Sequence, residues 1–438
     1  YTNMEYSVEQ EPNRAIITSK WGEIETAEVK KDTQVRYLGG VKSPILTEVK
    51  KSDKVTVLED EDDWMKVATE DGYVGYIKTK SLKNQKKEKT SRDFTEPVYS
   101  DMTEDHSINM AWHNVTNAAA NNAVQQVLAS TSGLTTIAPT WFSLADTEGN
   151  ISSIADADYV NYAHTAGLEV WAVFRDFHGG TNSYDETYET LRYTSKRAKL
   201  EDQVVAAAVA AGVDGINLDF ELISSKCGVH YVQLVRELSV KCHQNNLVFS
   251  VDNYVPQSYN SHYDLKEQGI VADYVVIMAY DEHTEGSYEA GSVASISYLQ
   301  DGIEKTLKKV SADKVIAGIP FFTRLWFETA KSPEQLSEEA GTEAASYPNK
   351  VSSKALGMEE AAQSVVNAGA TAQWDEKTQQ NYAKWSADGG TYRIWLEDAQ
   401  SLEAKLKVIQ ENKLAGVAEW SLGKEESSVW NLISQYVN

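Results

Sequence analysis

Two carboxylates and an amide alternate in the run Asp214-Gly215-Ile216-Asn217-Leu218-Asp219-Phe220-Glu221. Read as a strand, the run sends Asn217, Asp219 and Glu221 to one face and Ile216, Leu218 and Phe220 to the other. Two carboxyls held side by side disfavour each other's ionisation, which is costly unless chemistry uses it. One of them kept protonated near neutral pH would serve as a general acid. The competing reading is a solvated strand end or an acidic metal-binding patch, but the apolar positions favour a buried strand. Asp214 is out of phase with the three and reads as structural.

The elements that must position these groups alternate between strand and helix from about residue 105 onward. Strands are expected at Ile108 to Trp112, Thr135 to Ala138, Leu168 to Phe174, Gly215 to Glu221, Leu247 to Val251, Tyr274 to Met278, Val315 to Ile319 and Gly416 to Trp420. Helical stretches lie between most of them; the one from Leu200 to Ala211 stops at Gly212. Eight apolar strands alternating with helices indicate a (β/α)8 barrel of the α/β class. The gap between Ile319 and Gly416 is too long for a loop, so a small α+β insertion, at about 321–395, is expected after the seventh strand. In such barrels the chemistry sits at the C-terminal strand ends. Those ends carry Asp219 and Glu221, Asp252-Asn253-Tyr254, Met278-Ala279-Tyr280-Asp281 and Trp420.

The first 82 residues read as a separate all-β unit. Short alternating runs at Thr47 to Val49, Lys54 to Leu58 and Trp64 to Val67 are broken by charged turns, and Asp71-Gly72 marks a tight turn. Trp64 followed by Gly72-Tyr73-Val74-Gly75-Tyr76-Ile77 resembles the bacterial SH3-like (SH3b) domain over roughly residues 30 to 82. That resemblance implies either a module for cell-wall peptide or a spacer. Residues 83–104 open with Lys83, Lys86, Lys87, Glu88, Lys89 and Arg92, and are expected to be a solvated linker. The catalytic barrel would then span 105–438.

A net charge of −24 excludes nucleic acid as a partner, since phosphate binding needs a basic surface. No apolar run approaches the ~18 residues of a membrane helix. The chain opens on Tyr1, which reads as a mature or trimmed form whose signal or anchor would lie upstream. Cys227 and Cys242 are either bridged or a pair of buried thiols, and the spacing does not choose between them.

Several motifs in one order bring a family into view. The run from Asp214 to Glu221 resembles the D-G-x-D-x-D-x-E signature of glycoside hydrolase family 18, and Met278-Ala279-Tyr280-Asp281 matches its M-x-Y-D. Trp420 falls where that family places a tryptophan under the sugar, and the insertion matches its extra subdomain. Ile319 to Trp326 and Gly416 to Gly423 are similar to the bacterial spore-cortex and wall-hydrolase branch. The resemblance covers nearly all of 105–438. It implies retaining hydrolysis of a β-1,4 bond next to N-acetylglucosamine, in peptidoglycan or a chitin-like glycan, by a secreted or wall-associated enzyme. This family departs from the two-carboxylate scheme because the substrate's own acetamido oxygen is the nucleophile. By the resemblance, Glu221 is the acid, Asp219 orients the acetamido N–H, Tyr280 bonds the acetamido oxygen and Trp420 forms the floor. Met278, Asp281, Asn253, Trp141 and Arg324 are further substrate-binding candidates, and no protein nucleophile, metal or cofactor is implied.

Asn217 departs from the family pattern, which has aspartate there. It is expected to donate a hydrogen bond to Asp219 and hold it without titrating. A catalytically silent, lectin-like protein on the same barrel is the alternative function, although such proteins usually lack the acid that Glu221 supplies. The eight histidines show no metal-like spacing. Trp171 reads as core; Trp326, Trp374 and Trp395 read as either a cleft wall or the insertion's own core; Arg175-Asp176 is a possible subsite contact.

Overall fold

The structure, a computed structural model, describes residues 22–90 and 101–437. The chain divides into two compact units, residues 1–99 and residues 100–438.

In the first unit, alternation of valine with polar residues produces a seven-stranded antiparallel sheet. Its strands are Gly22–Val29, Thr33–Arg36, Ile45–Val49, Lys54–Glu61, Trp64–Thr69, Val74–Lys78 and Leu82–Thr90. Ala27, Val29, Val35, Val55, Val67 and Ile77 are among the side chains forming its core. Gly75 is needed because a Cβ there would lie 2.5 Å from the Arg36 carbonyl oxygen.

The basic run after Leu82 corrects the expectation of a linker. It is a strand paired with Gly22–Val29, and glutamates on that partner meet its lysines: Lys87 with Glu23 at 3.3 Å and Lys83 with Glu28 at 3.5 Å. Such exposed pairs are individually weak, so backbone pairing holds the strand and the charges keep it soluble. Residues 101–104 are anchored to the second unit, with Met102 N–H donating to Asp273 (2.7 Å) and Glu104 N–H to the Tyr274 hydroxyl (2.7 Å). Residues 91–100 and those before Gly22 lie outside the described residues.

The second unit is a closed parallel barrel of strands β1 (Ile108–His113), β2 (Thr136–Pro139), β3 (Glu169–Arg175), β4 (Gly215–Asp219), β5 (Val248–Tyr254), β6 (Tyr274–Met278), β7 (Val315–Pro320) and β8 (Gly416–Trp420). The inner layer includes Met110, Trp112, Trp171, Val173, Val276 and Met278; the outward positions pack under the helices. Trp171 stacks on Tyr274 in the interior, as a core residue should. The Ala/Val-rich stretch forms the helix Thr194–Ala211, closed by left-handed Gly212 (φ 77°).

Aspartates pin the strand starts. Asp214 accepts from Val170 N–H and His164 (both 2.8 Å), which makes it the structural residue its phase suggested. Cys227 and Cys242 are free and buried near opposite ends of the helix Gly228–Gln244, a separation no disulfide spans. Among the described residues no helix is long and apolar enough to cross a membrane.

After β7 the chain builds a five-stranded antiparallel sheet, running from Phe322–Ala330 to Gly390–Leu396, with the helix Met358–Asn367 on it. Leu356, Ala361, Val365, Ala383, Ile394 and Leu396 form its own core. Trp326 is fully buried, with its indole N–H on the Gly291 carbonyl (2.9 Å), and Trp395 packs on Tyr382.

Candidate active site

Strand parity at the C-terminal mouth decides which groups meet. On β4, Asn217 and Asp219 point inward; the strand ends at Asp219, and Glu221 follows on the irregular segment. Asp176, buried just past β3, fixes that segment: its Oδ1 accepts from Glu221 N–H (2.8 Å) and its Oδ2 from Leu222 N–H (3.0 Å). The Tyr263 hydroxyl donates to the Glu221 carbonyl (3.1 Å), and the Tyr254 hydroxyl donates to Glu221 Oε2. The acid's backbone and one of its oxygens are thereby positioned.

Asn217 does not do what its place in the sequence suggested. Its Nδ2 donates to Ser250 Oγ (2.9 Å) and Asp252 Oδ1 (2.7 Å), and its Oδ1 accepts from Trp112 Nε1 (3.0 Å). These bonds use both amide protons, so none reaches Asp219. The buried Oδ1 of Asp219 and Oδ2 of Asp252 have no hydrogen-bond partner among the described residues. Arg175 stands opposite Asp219 in the β3–β4 register, and its buried Nε is likewise unpaired. These atoms are polar capacity that a polar ligand can use.

Aromatic rings enclose the other side. Trp112 sits edge-on to Tyr280 (6.4 Å) and to Trp420 (5.9 Å), and Tyr280 is edge-on to Phe322 of the insertion (6.2 Å). Met278 lies beneath Tyr280 on β6. The Tyr280 hydroxyl makes no hydrogen bond among the described residues. Asp281 lies at the rim, with Arg324 and Lys424 as its cationic neighbours. Arg324 donates to Ser353 Oγ (2.9 Å).

Two candidates fall outside this cleft. Asn253 points away from the barrel, where its amide and that of Gln268 bond reciprocally (2.7 and 3.0 Å), because β5 turns Asp252 inward instead. Trp141 is 2% exposed, packed edge-on to Tyr159, with its N–H on Asn121 Oδ1 (2.8 Å). It belongs to the outer core. Asp252 and Tyr254 were placed at a strand end without a role, and Trp112 as a hydrogen-bond donor and Lys424 were missed. Asp252 was adjacent to the residue chosen, and the parity of β5 would have found it had one inward residue been known.

Burial sets the electrostatics. Desolvation raises the Glu221 carboxyl above its usual range, opposed by the Tyr254 hydroxyl and assisted by the charge of Asp281. Burial likewise raises Asp219, with repulsion from Glu221, Asp252 and Asp176 added and Arg175 opposing. Asp252 is pushed up to about 8 and Asp176 to about 7, in both cases chiefly by burial. Burial thus raises all four carboxyls around one mouth, and their titrations belong to the set.

The raised carboxyls have a consequence for stability. A carboxyl whose folded pKa exceeds its unfolded one stabilises the fold fully below the unfolded value and loses that contribution as pH rises through the folded value. For Asp252 that window runs from 3.8 to about 8. Asp252→Asn keeps an oxygen for Asn217 and removes the titration. Its Tm is expected to fall less than the wild type's between pH 5 and 8; parallel Tm–pH curves would show Asp252 to be ionised throughout.

Among the described residues no cluster of His, Cys, Asp and Glu is arranged to hold a metal. A glutamate with a raised pKa, two buried carboxylate oxygens without a partner among the described residues and a set of aromatic rings are suited to protonating and orienting a sugar.

Comparison with known proteins agrees with this chemistry. The bacterial SH3 domain profile matches residues 30–83, and that of Glycosyl hydrolases family 18 matches residues 119–425. The uncharacterized glycosylase YvbX of Bacillus subtilis is 25% identical over 65% of this chain and 80% of its own length. The cortical fragment-lytic enzyme of the same organism is 27% identical over 56% of this chain. The match spans only 54% of that relative. In fold, the barrel resembles the spore cortex-lytic enzyme SleL of Bacillus cereus, with TM-score 0.64, 20% identity, and coverage of 76% of this chain and 74% of that one. The chain is a glycosidase that belongs to glycosyl hydrolases family 18.

Proposed function

We propose that this enzyme cleaves β-1,4 bonds next to N-acetylglucosamine in a bacterial wall glycan or a chitin-like polymer, with retention and with the substrate's acetamido group as nucleophile. The observation that carries the reading is Glu221, held by Asp176 and Tyr254 with a raised carboxyl pKa, beside a buried Asp219 whose Oδ1 has no partner among the described residues. Glu221 gives its proton to the glycosidic oxygen as the C1–O bond breaks. The acetamido oxygen bonds to C1, closing an oxazolinium ring. Asp219 accepts from the acetamido N–H and offsets the ring's positive charge, while the Tyr280 hydroxyl steers the acetamido oxygen. Glu221 then takes a proton from water as water opens the ring, so two inversions leave the β anomer. Trp420, over Trp112, would form the apolar floor.

The relatives' names support a glycan substrate of this kind: a cortical fragment-lytic enzyme and, in Homo sapiens, a di-N-acetylchitobiase that is 22% identical over 61% of this chain. The cortical fragment-lytic relative supports action at a cell wall. The SH3-like unit would hold wall peptide in a cleft of about 410 Å³ lined by Gln34, Arg36, Glu48, Trp64 and Lys78, among others. Incubation with peptidoglycan and with N-acetylglucosamine oligomers, scored for new reducing ends and for the anomer first formed, tests the reading. Binding without release would favour the lectin-like alternative, and an α product would overturn retention.

Asn217 is predicted to act on this chemistry through Asp252. Asn217→Asp places a carboxyl at the 2.7 Å contact that the amide now makes. The added charge raises neighbouring pKa values, so the alkaline limb of kcat/KM, which reports loss of the acid's proton, should move up by up to about one unit. An unshifted profile would show that the position does not tune the set.

A further inference from the structure

A cationic corner adjoins the aromatic floor, and the proposed mechanism does not use it. Phe322 and Arg324 stand two residues apart on the strand Phe322–Ala330 and so share a face. The Phe322 ring abuts Tyr280, and Lys424 Nζ lies 5.1 Å over the same ring. The Lys424 carbonyl accepts from Met358 N–H (2.8 Å), which ties the segment after β8 to the insertion. Two cations from different parts of the chain thus meet beside the ring that walls the Tyr280 side of the cleft.

Their donors are largely unspent. Arg324 gives one N–H to Ser353, and its buried Nε has no partner among the described residues. Lys424 is half-buried, and its ammonium makes no hydrogen bond or ion pair among the described residues. Asp281 is a carboxylate whose charge acts on both, and it bonds neither among the described residues. Burial lowers the Lys424 pKa and Arg324 lowers it further, against the pull of Asp281. Half-buried like charges that share one carboxylate, which bonds neither of them, are costly to hold together, so the corner can take a second anion from a ligand. The surplus is local: the mouth also holds Tyr254 and Tyr280, Arg175 and the acids Asp176, Asp219, Glu221 and Asp252, and the raised pKa values of those acids limit their negative charge.

We propose that Arg324 and Lys424 form an anion subsite that selects glycans carrying a carboxylate on the sugar bound against Phe322 and Tyr280, over uncharged N-acetylglucosamine polymers. The proposal rests on the glycosidase reading above and narrows it to acidic aminosugar strands. An arginine fork and a lysine point charge suit a carboxylate better than a hydroxyl, since charge-assisted bonds are shorter and stronger than neutral ones.

The test compares two substrates that differ at one group, charged in the first and neutral in the second. Peptidoglycan strands stripped of peptide carry free lactyl carboxylates, and the same strands coupled to methylamine with a carbodiimide carry neutral amides. Wild-type kcat/KM is expected to favour the acidic strands by about tenfold, falling as salt is added. In Lys424→Gln the ratio should drop towards one, and Lys424→Arg should keep it. The same ratio read as Kd on Glu221→Gln protein separates binding from turnover and does not depend on the Lys424→Gln variant folding well. A wild-type ratio at or below one, or a ratio unmoved in Lys424→Gln, overturns the anion subsite alone. Failure to cleave either strand or N-acetylglucosamine oligomers overturns the glycosidase reading, and the subsite with it.

Discussion

Glu221→Gln is expected to lower kcat about a thousandfold on natural glycans while leaving Kd within a few-fold. General acid catalysis contributes typically 10²–10⁴, and the leaving oxygen of a sugar is too basic to depart unprotonated. The amide keeps the shape: its oxygen can accept from Tyr254, and the backbone bonds to Asp176 do not involve the side chain. A second readout separates loss of the acid from general damage. An aryl glycoside with an acidic phenol as leaving group needs little protonation, so its bond-breaking step should lose far less than that of the glycan. The alkaline limb of kcat/KM should also vanish, because the group that loses its proton is gone. Release of reducing ends within tenfold of the wild type would remove Glu221 from the acid's role.

The barrel was legible because its strands are buried on both faces and read as short apolar runs at regular spacing. The same property hid the parity of β5. Val248 to Val251 is apolar or small at every position, so nothing local says whether Asp252 or Asn253 faces the mouth. On β4 the alternation of polar and apolar residues gave the phase directly, and Asn217 and Asp219 are where it placed them. Phase alone did not give partners. Asn217 was read with its neighbour in the chain, whereas parallel pairing sets it across from Ser250 on β5, beside Asp252. A contact between strands thirty residues apart leaves no mark in either segment.

The basic run from Lys83 failed for a different reason. Its charges suit solvent, and as an edge strand it does face solvent, but backbone pairing to Gly22–Val29 orders it. Trp141 lies at a strand end, and whether such a ring enters the cleft or the core depends on which helix packs over it, here the one that carries Tyr159.

The largest stability effect should come from a buried ion pair that joins the insertion to the barrel. Lys405, on the helix Ala399–Glu411, is 1% exposed at its side chain and bonds Glu397 at 2.9 Å; Glu397 is 0% exposed. Gln380 of the insertion sheet donates to the same carboxylate (2.6 Å), Ser401 donates to it (2.9 Å), and Ser292 donates to Gln380. Ser292 lies on the loop that follows Tyr280 and Asp281, so one network fixes the helix, the insertion and a wall of the cleft. Burial raises the Glu397 carboxyl against the pull of Lys405. Lys405→Met fills nearly the same space but leaves a buried anion without its cation, a change that costs about 3 kcal/mol. Denaturant unfolding, followed on the transition of the barrel unit, should show that loss growing as pH rises, because protonation of Glu397 relieves it at low pH. Adding Glu397→Gln should recover most of the loss, since an amide can still pair with Gln380 and Ser401 and carries no charge. A Lys405→Met variant within about 0.5 kcal/mol of the wild type at neutral pH would mean that Glu397 is already neutral in the native protein, with Gln380 and Ser401 rather than the ion pair holding the insertion to the barrel.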